Sequence, residues 1–420
     1  MNEHAAIDHA KLAQSMPIED INVSDPKLYQ QDVWMHYFNR LRRDAPVHYC
    51  KDSPIGPYWS ITKYKDIVSV EVNHKAFSSS STFGGITLRD RTGDLELPMF
   101  IAMDPPKHDE QRKIVQPIVS PANLAKFESL IRSRIATTLD SLPRGEAFDW
   151  VDKVSIELTG QMLATLFDFP FEQRRKLTYW SDVATTDLNN PDRLINSEEE
   201  REAVFGECLG AFMQLWNQRV NAKELGGDLI SMLVSGEATR NMNPREYLGN
   251  VILLIVGGND TTRNSMTGSV WFFNQNPDQY AKLRANPALL ESAVPEIIRY
   301  QTPLAYMRRT ALADTEVGGK TIKKGDKLAM WYISGNRDGD SIENPDQFII
   351  DRERPRQHLS FGFGIHRCVG NRLGELQLKI LWEEILKRFP FIEVVGEPKR
   401  VFSTFVKGYE SLPVIIRKRN

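Results

Sequence analysis

Cys368 lies in the segment Phe361-Gly362-Phe363-Gly364-Ile365-His366-Arg367-Cys368-Val369-Gly370. A cysteine binds metal as its thiolate, which stays ionised only in positive surroundings, and His366 and Arg367 are placed to supply them. Gly362, Gly364 and Gly370 let backbone approach a flat ligand and permit φ > 0, while Phe361 and Phe363 can pack beside an aromatic macrocycle. An isolated cysteine is ordinarily a small buried hydrophobe, so these neighbours carry the reading of Cys368 as a metal ligand.

Three further constellations carry potential chemistry. Gly257-Gly258-Asn259-Asp260-Thr261-Thr262 joins an acid to an alcohol inside a helical pattern. Each interior glycine costs about 1 kcal/mol relative to alanine, which calls for compensation by close helix packing or by a functional kink. Glu296 and Arg299 stand at i and i+3, a spacing that on a surface helix gives a solvated pair worth about 0.2–0.5 kcal/mol. His108 and Arg112, at i and i+4, share one helix face and offer donors to an anion.

The elements that position these groups are mostly helical. Asp104 is expected to cap a helix with Pro105 in its first turn, and residues 120 to 300 keep helical periodicity. Within them, Asn243-Pro244-Arg245-Glu246 announces a long helix running to about Asn276-Pro277. Tyr58 to Thr62 is expected as a strand, Lys65 to Val72 as a short helix, and Ser78 to Thr82 as a loop. The stretch with Gly84-Gly85 and Gly93, up to Pro98, is also loop-rich, and Glu316 to Asp326 reads as small strands joined by glycine turns. No linker or internal repeat divides the chain, so residues 1–420 are expected to form one mainly α domain with a minor β portion, 1–45 being a less ordered or helical extension.

Composition bounds the partners. Lys and Arg total 53 against 55 Asp and Glu, for a net charge of −2, which gives no electrostatic reason to expect nucleic acid. Cys50, Cys208 and Cys368 are widely spaced and odd in number, which argues against a disulfide framework and for a reducing cytoplasm, with Cys50 and Cys208 structural. The charged N-terminal residues lack the apolar core of a signal peptide or membrane anchor, and the apolar run Val251 to Val256 is too short to span a bilayer.

Phe-Gly-x-Gly-x-His-x-Cys-x-Gly resembles the cysteine-ligand loop of the cytochrome P-450 superfamily, and the other motifs follow in that family's order over roughly residues 55 to 410. The resemblance implies a triangular prism of helices around haem b, with Cys368 as the axial thiolate. It assigns Asp260 and Thr261 to the acid-alcohol pair that delivers protons to dioxygen. Glu296 and Arg299 would join Arg352 in a buried network supporting the cysteine loop. His108, Arg112, Arg309 and His366 match the propionate contacts, Arg308 being a near alternative to Arg309, and Phe361 and Gly362 match loop residues against the haem.

Leu254 to Ser265 and Thr302 to Thr310 look like the corresponding segments of the soluble bacterial alkane hydroxylases. That likeness implies a monooxygenase acting on the terminal carbon of medium-chain alkanes or fatty acids. An apolar aliphatic substrate would meet Ile255, Val256, Gly257, Leu304 and Met307, together with the loop from Phe83 to Phe100 and the region of Thr404 and Phe405. Arg89 or Arg91 is a candidate for a fatty-acid carboxylate. A terpenoid or polyketide substrate remains the alternative, and a haem sensor or carrier the reading from another class; Asp260 and Thr261 argue against the carrier and against a peroxide-driven enzyme. Electrons would come from a separate ferredoxin and its reductase, docking on a basic face of Arg112, Lys113, Arg356, Arg367 and Arg372.

Overall fold

The computed structural model describes residues 7–90 and 96–417. Its axis is the helix Pro244–Gln275, whose 32 residues span about 48 Å at 1.5 Å per residue. The Asn243 side chain caps it by accepting from the Glu246 amide at 2.9 Å, and Pro244 occupies the first turn, where a missing N–H costs nothing. Glu246 does not return the bond as a full capping box would. Its carboxylate instead takes the ammonium of Lys107 at 2.9 Å and the amide of Gln111.

The helices Arg175–Thr185, Glu157–Phe167, Leu290–Gln301 and Asn371–Arg388 pack around this axis. The long helix is consequently buried on most of its faces, and its apolar side chains join a core that includes Trp150, Trp180, Phe212 and Trp382. The minor β portion is a five-stranded sheet ordered Val47–Cys50, Tyr58–Ile61, Lys327–Met330, Met307–Ala311, Phe77–Ser78. Tyr58–Ile61 and Lys327–Met330 run parallel; the remaining neighbours are antiparallel. Ser78, read from sequence as loop, pairs with Thr310 at the sheet edge. Residues 9–44 contribute short helices, and Phe38 sets the last of these against Trp331 at a ring separation of 5.2 Å. Among the described residues no helix is long and apolar enough to cross a membrane.

Asp104 is a correction. The helix it was expected to cap is Lys107–Val115, preceded by Pro106, and receives no side-chain cap. Asp104 turns its carboxylate to the Ser79 amide at 3.0 Å and to the Ser78 hydroxyl, tying the helix entry to the sheet edge. A carboxylate that short meets whichever free amides lie nearest, and here those belong to another element.

Candidate functional site

A cavity of about 820 Å³ lies between the long helix and the cysteine loop. The loop is built from Leu359 onward. Gly362 (φ +67) and Gly364 (φ +65) supply the left-handed turns, and a Cβ on Gly364 would stand 2.3 Å from the Glu71 carbonyl oxygen. Gly370 is a correction, since its φ is −90 and it serves as the N-cap of Asn371–Arg388.

Cys368 reaches the cavity wall with its backbone amide held by the Phe361 carbonyl at 2.8 Å. Its Sγ is enclosed by protein but open to the cavity, so it counts as surface only from inside. Burial pushes the thiol pKa up, while the Gly370 amide, Arg112 and Arg367 pull it down. Cys50 and Cys208 are buried, and burial raises both of their thiols.

Support for the loop begins at Glu296, which is 0% exposed beside Arg299 at 1%. Arg299 donates to the Glu296 carboxylate at 2.7 and 2.9 Å, and Arg352 Nε donates to it at 2.9 Å. Arg299 also donates to the Asn336 carbonyl at 2.8 Å. The Asn336 side chain then accepts from the Leu359 amide at 2.6 Å and donates to Ser360 Oγ at 2.9 Å. The ion-pair network thus reaches the cysteine loop through Asn336, a residue that no motif marked. Removing one member of a buried pair costs about 3–5 kcal/mol because the other is left uncompensated. Glu296→Ala is therefore expected to lower unfolding stability by about that amount, measured by urea denaturation; a change under about 1 kcal/mol would contradict the coupling.

Above the loop, Gly257, Thr261 and Ser265 present one face of the long helix to the cavity, and Val256 also lines it. Thr261 Oγ1 donates to the Gly257 carbonyl at 2.8 Å. The two glycines divide the roles expected of the pair. A Cβ on Gly257 would meet nothing within 4 Å, whereas one on Gly258 would stand 2.7 Å from Leu163 Cδ2, so the first keeps the cavity open and the second admits a packed helix.

Asp260 points away from the cavity and is 0% exposed. Its carboxylate accepts from Asn259 Nδ2 at 2.8 Å, Arg263 Nη2 at 2.9 Å, Ser181 Oγ at 3.1 Å and Thr185 Oγ1 at 3.3 Å. Arg263 bridges onward to Asp182 at 2.9 Å, whose side chain is 30% exposed. Burial pushes the Asp260 pKa above the usual carboxylate range, opposed by Arg263. Polar groups thus run from the solvent side at Asp182 to Thr185, which lines the cavity. Asn259, Asp182 and Ser181 were missed from sequence; Arg263 alone carried a signal, its i+3 spacing from Asp260.

At the opposite edge, His108, Arg112, Arg309 and His366 converge. The rings of His108 and His366 lie 4.2 Å apart, and Arg112, Arg309 and His366 line the cavity. Among the described residues, His108 Nε2 and both ring nitrogens of His366 are buried without a hydrogen-bond partner, and burial lowers both imidazole pKa values. Buried polar atoms of native proteins are nearly always partnered, so this cluster of donors fits a group that brings carboxylates to it. With Cys368 Sγ and the flat glycine loop on the same cavity, the residues present fit a haem. Arg308 does not line the cavity; Arg309 does.

The expected substrate walls are mostly on the cavity. Val256, Gly257, Leu304, Met307, Thr404 and Phe405 line it, as do Gly84 to Arg89 and Phe100. Ile255 is a correction: it is 0% exposed and packs in the helical core. With each residue turned by about 100°, it lies about 120° around the helix axis from Thr261. Phe83 is 47% exposed and stands off the wall. Arg89, 51% exposed, sits on the wall 3.8 Å from Asp187; Arg91 and Gly93 lie outside the described residues. Met162, Leu166 and Leu188 also line the cavity and had no sequence signal beyond apolar periodicity.

Residues 57–411 match the family model described as Cytochrome P450. Linalool 8-monooxygenase of Pseudomonas putida is 35% identical over 95% of this chain and 99% of its own length. The methyl-branched lipid omega-hydroxylase of Mycobacterium tuberculosis is 30% identical over 95% of each. Among solved structures, cytochrome P450-153 from Novosphingobium aromaticivorans superimposes with a TM-score of 0.88 and 48% identity, covering 94% of this chain and 99% of that one.

Proposed function

The chain belongs to the cytochrome P450 family and is a monooxygenase, and from that premise we propose that it hydroxylates the terminal carbon of medium-chain alkanes or fatty acids. The observation that carries this reading is the cavity wall. Val256, Leu304, Met307 and Phe405 are apolar and line the same cavity as Cys368 and Thr261. A linear chain is gripped there by burial alone, at about 0.8 kcal/mol per methylene. The primary C–H bond is stronger than its neighbour, so selectivity for the chain end must come from holding the methyl group in place.

Haem b, when bound, supplies the activation of dioxygen and the transfer of one oxygen atom into a C–H bond, the other leaving as water. Cys368 is the residue that would hold its iron, and Arg112, Arg309, His108 and His366 its carboxylates. Thr261 donates or accepts a hydrogen bond at the cavity surface beside Gly257. Asp260, buried behind it, takes a proton from the Asp182 side, where Arg263 bridges the two carboxylates, and returns it toward the cavity through the Thr185 hydroxyl. Such a relay has no purpose in a sensor or carrier.

Electrons come, in this reading, from a ferredoxin and its reductase. Lys113, Arg367 and Arg372 are exposed near the cysteine loop and offer cations to an acidic partner. Arg356 is exposed but bridged to Glu375 at 3.0 Å, which offsets its charge, and Arg112 is turned inward to the Arg367 carbonyl, away from that face.

The likeness to linalool 8-monooxygenase favours a second reading, the same chemistry on a terpenoid. Spin-state titration of the haem-loaded protein separates the two. Linear alkanes and fatty acids of medium length are expected to bind with affinity rising by about 0.8 kcal/mol per methylene until the cavity is filled. A response to linalool or a cyclic terpene with none to any linear chain would overturn the first reading in favour of the second.

A further inference from the structure

Arg308 and Arg309 are neighbours on the strand Met307–Ala311 and so point to opposite faces. Arg309 lines the cavity and binds Glu71 at 2.6 Å. Arg308, 3% exposed, gathers the segment from Phe83 to Asp90 instead. Its Nη2 donates to the Phe83 carbonyl at 2.8 Å, and its Nη1 to the Thr87 carbonyl at 3.2 Å and to the Asp90 carboxylate. Its backbone amide donates to the Ile86 carbonyl at 2.9 Å, and Thr310 Oγ1 adds a bond to Phe83 at 2.8 Å. Gly84 has φ +98, and a Cβ there would stand 2.2 Å from Arg308 Nη2, so the segment's backbone rests directly on the guanidinium. The other side of the same segment, Gly84 to Arg89, is cavity wall.

We propose that Arg308 is a specificity-determining positioning residue: by clamping Phe83–Asp90 to the strand it fixes the wall that aims the end of the substrate chain. This rests on the chain-end reading above. A guanidinium is suited to the task because its rigid fork can serve two carbonyls and a carboxylate together, which a point charge cannot. Without it the Phe83 and Thr87 carbonyls lose a donor, the wall gains freedom, and the weaker C–H bonds next to the chain end come within reach. The clamp also holds through neutral pH. Burial alone would raise the Asp90 pKa, but hydrogen bonds from Arg308 and Lys327 outweigh it and hold it below the usual value. The charge attraction is then lost only as acid carries the pH down through that lowered pKa.

The test uses haem-loaded protein with a ferredoxin, its reductase and octane. In Arg308→Gln the ratio of terminal to subterminal alcohol is expected to fall about tenfold, equivalent to about 1.4 kcal/mol, and the octane Kd from spin-state titration to rise. Haem content should be unchanged. Arg308→Lys falls between, since one ammonium can meet Asp90 but not both carbonyls, and Asp90→Asn gives a smaller shift in the same direction. A purely structural arginine would lower stability without moving the ratio, so an unchanged ratio in haem-loaded Arg308→Gln overturns the proposal. Should that variant not fold, unchanged ratios in both Asp90→Asn and Thr310→Val overturn it. If the wild-type protein makes no terminal alcohol, the chain-end reading fails instead, and the clamp is judged on the octane Kd alone: no change in Arg308→Gln would sink it.

Discussion

Cys368→Ser is expected to abolish hydroxylation, with product formation falling by more than about 10³-fold, or more than about 4 kcal/mol. The reason lies in the sulfur's surroundings. Burial pushes the thiol pKa up against the pull of the Gly370 amide, Arg112 and Arg367, and iron would supply the positive charge that keeps the sulfur ionised. A serine hydroxyl ionises far less readily and cannot donate the same electron density to the metal. Haem should still be retained, because the donors of Arg112, Arg309, His108 and His366 are untouched and the Glu296–Arg299–Asn336 support of the loop does not involve the sulfur. The check is a carbon monoxide difference spectrum of the reduced protein. The wild type should show the red-shifted Soret band of thiolate ligation and the variant should lose it; a variant spectrum like the wild type would mean that another residue is the ligand.

Asp260→Asn should lower the product rate by about 10²–10³-fold, in the range of a lost acid-base group. The substitution keeps the shape and several of the hydrogen bonds from Ser181, Thr185 and Asn259, so the helix has no cause to move. What it removes is the group that can take and return a proton, and Arg263 is left with Asp182 as its carboxylate partner. NADH consumption should continue without matching product, and the solvent isotope effect on product formation should rise. Product formed per NADH at the wild-type level would show that protons reach the cavity by another route. Asp182→Asn, at the more exposed end of the network, should have a smaller effect in the same direction.

Much of the geometry of this arrangement was legible because its groups sit in short local motifs. The cysteine loop, the acid-alcohol pair and the Glu296–Arg299 spacing each need particular residue types at fixed separations, and a linear reading finds such separations. The long helix was legible for the same reason: Asn243-Pro244 marks its start and Asn276-Pro277 its end. What escaped was set by tertiary contact. Asn336 lies in a turn with no distinguishing neighbours, yet it joins the buried ion pair to the loop of Cys368. Asp104 looked like a cap until the sheet edge brought Ser78 and Ser79 closer. Ile255 and Val256 are both apolar and adjacent, and only the rotation of the helix about its axis decides which of them faces the cavity. The two arginines at 308 and 309 could be separated only by strand alternation, which their sequence does not display until the strand's register is fixed by Lys327–Met330.

The most direct measurement is the position and origin of the oxygen in the product. Haem-loaded protein with ferredoxin, reductase, NADH and octane under ¹⁸O-labelled dioxygen should give mainly 1-octanol carrying one labelled atom. Subterminal alcohols as the main product, or no labelled alcohol from any linear chain, would contradict terminal hydroxylation by this protein.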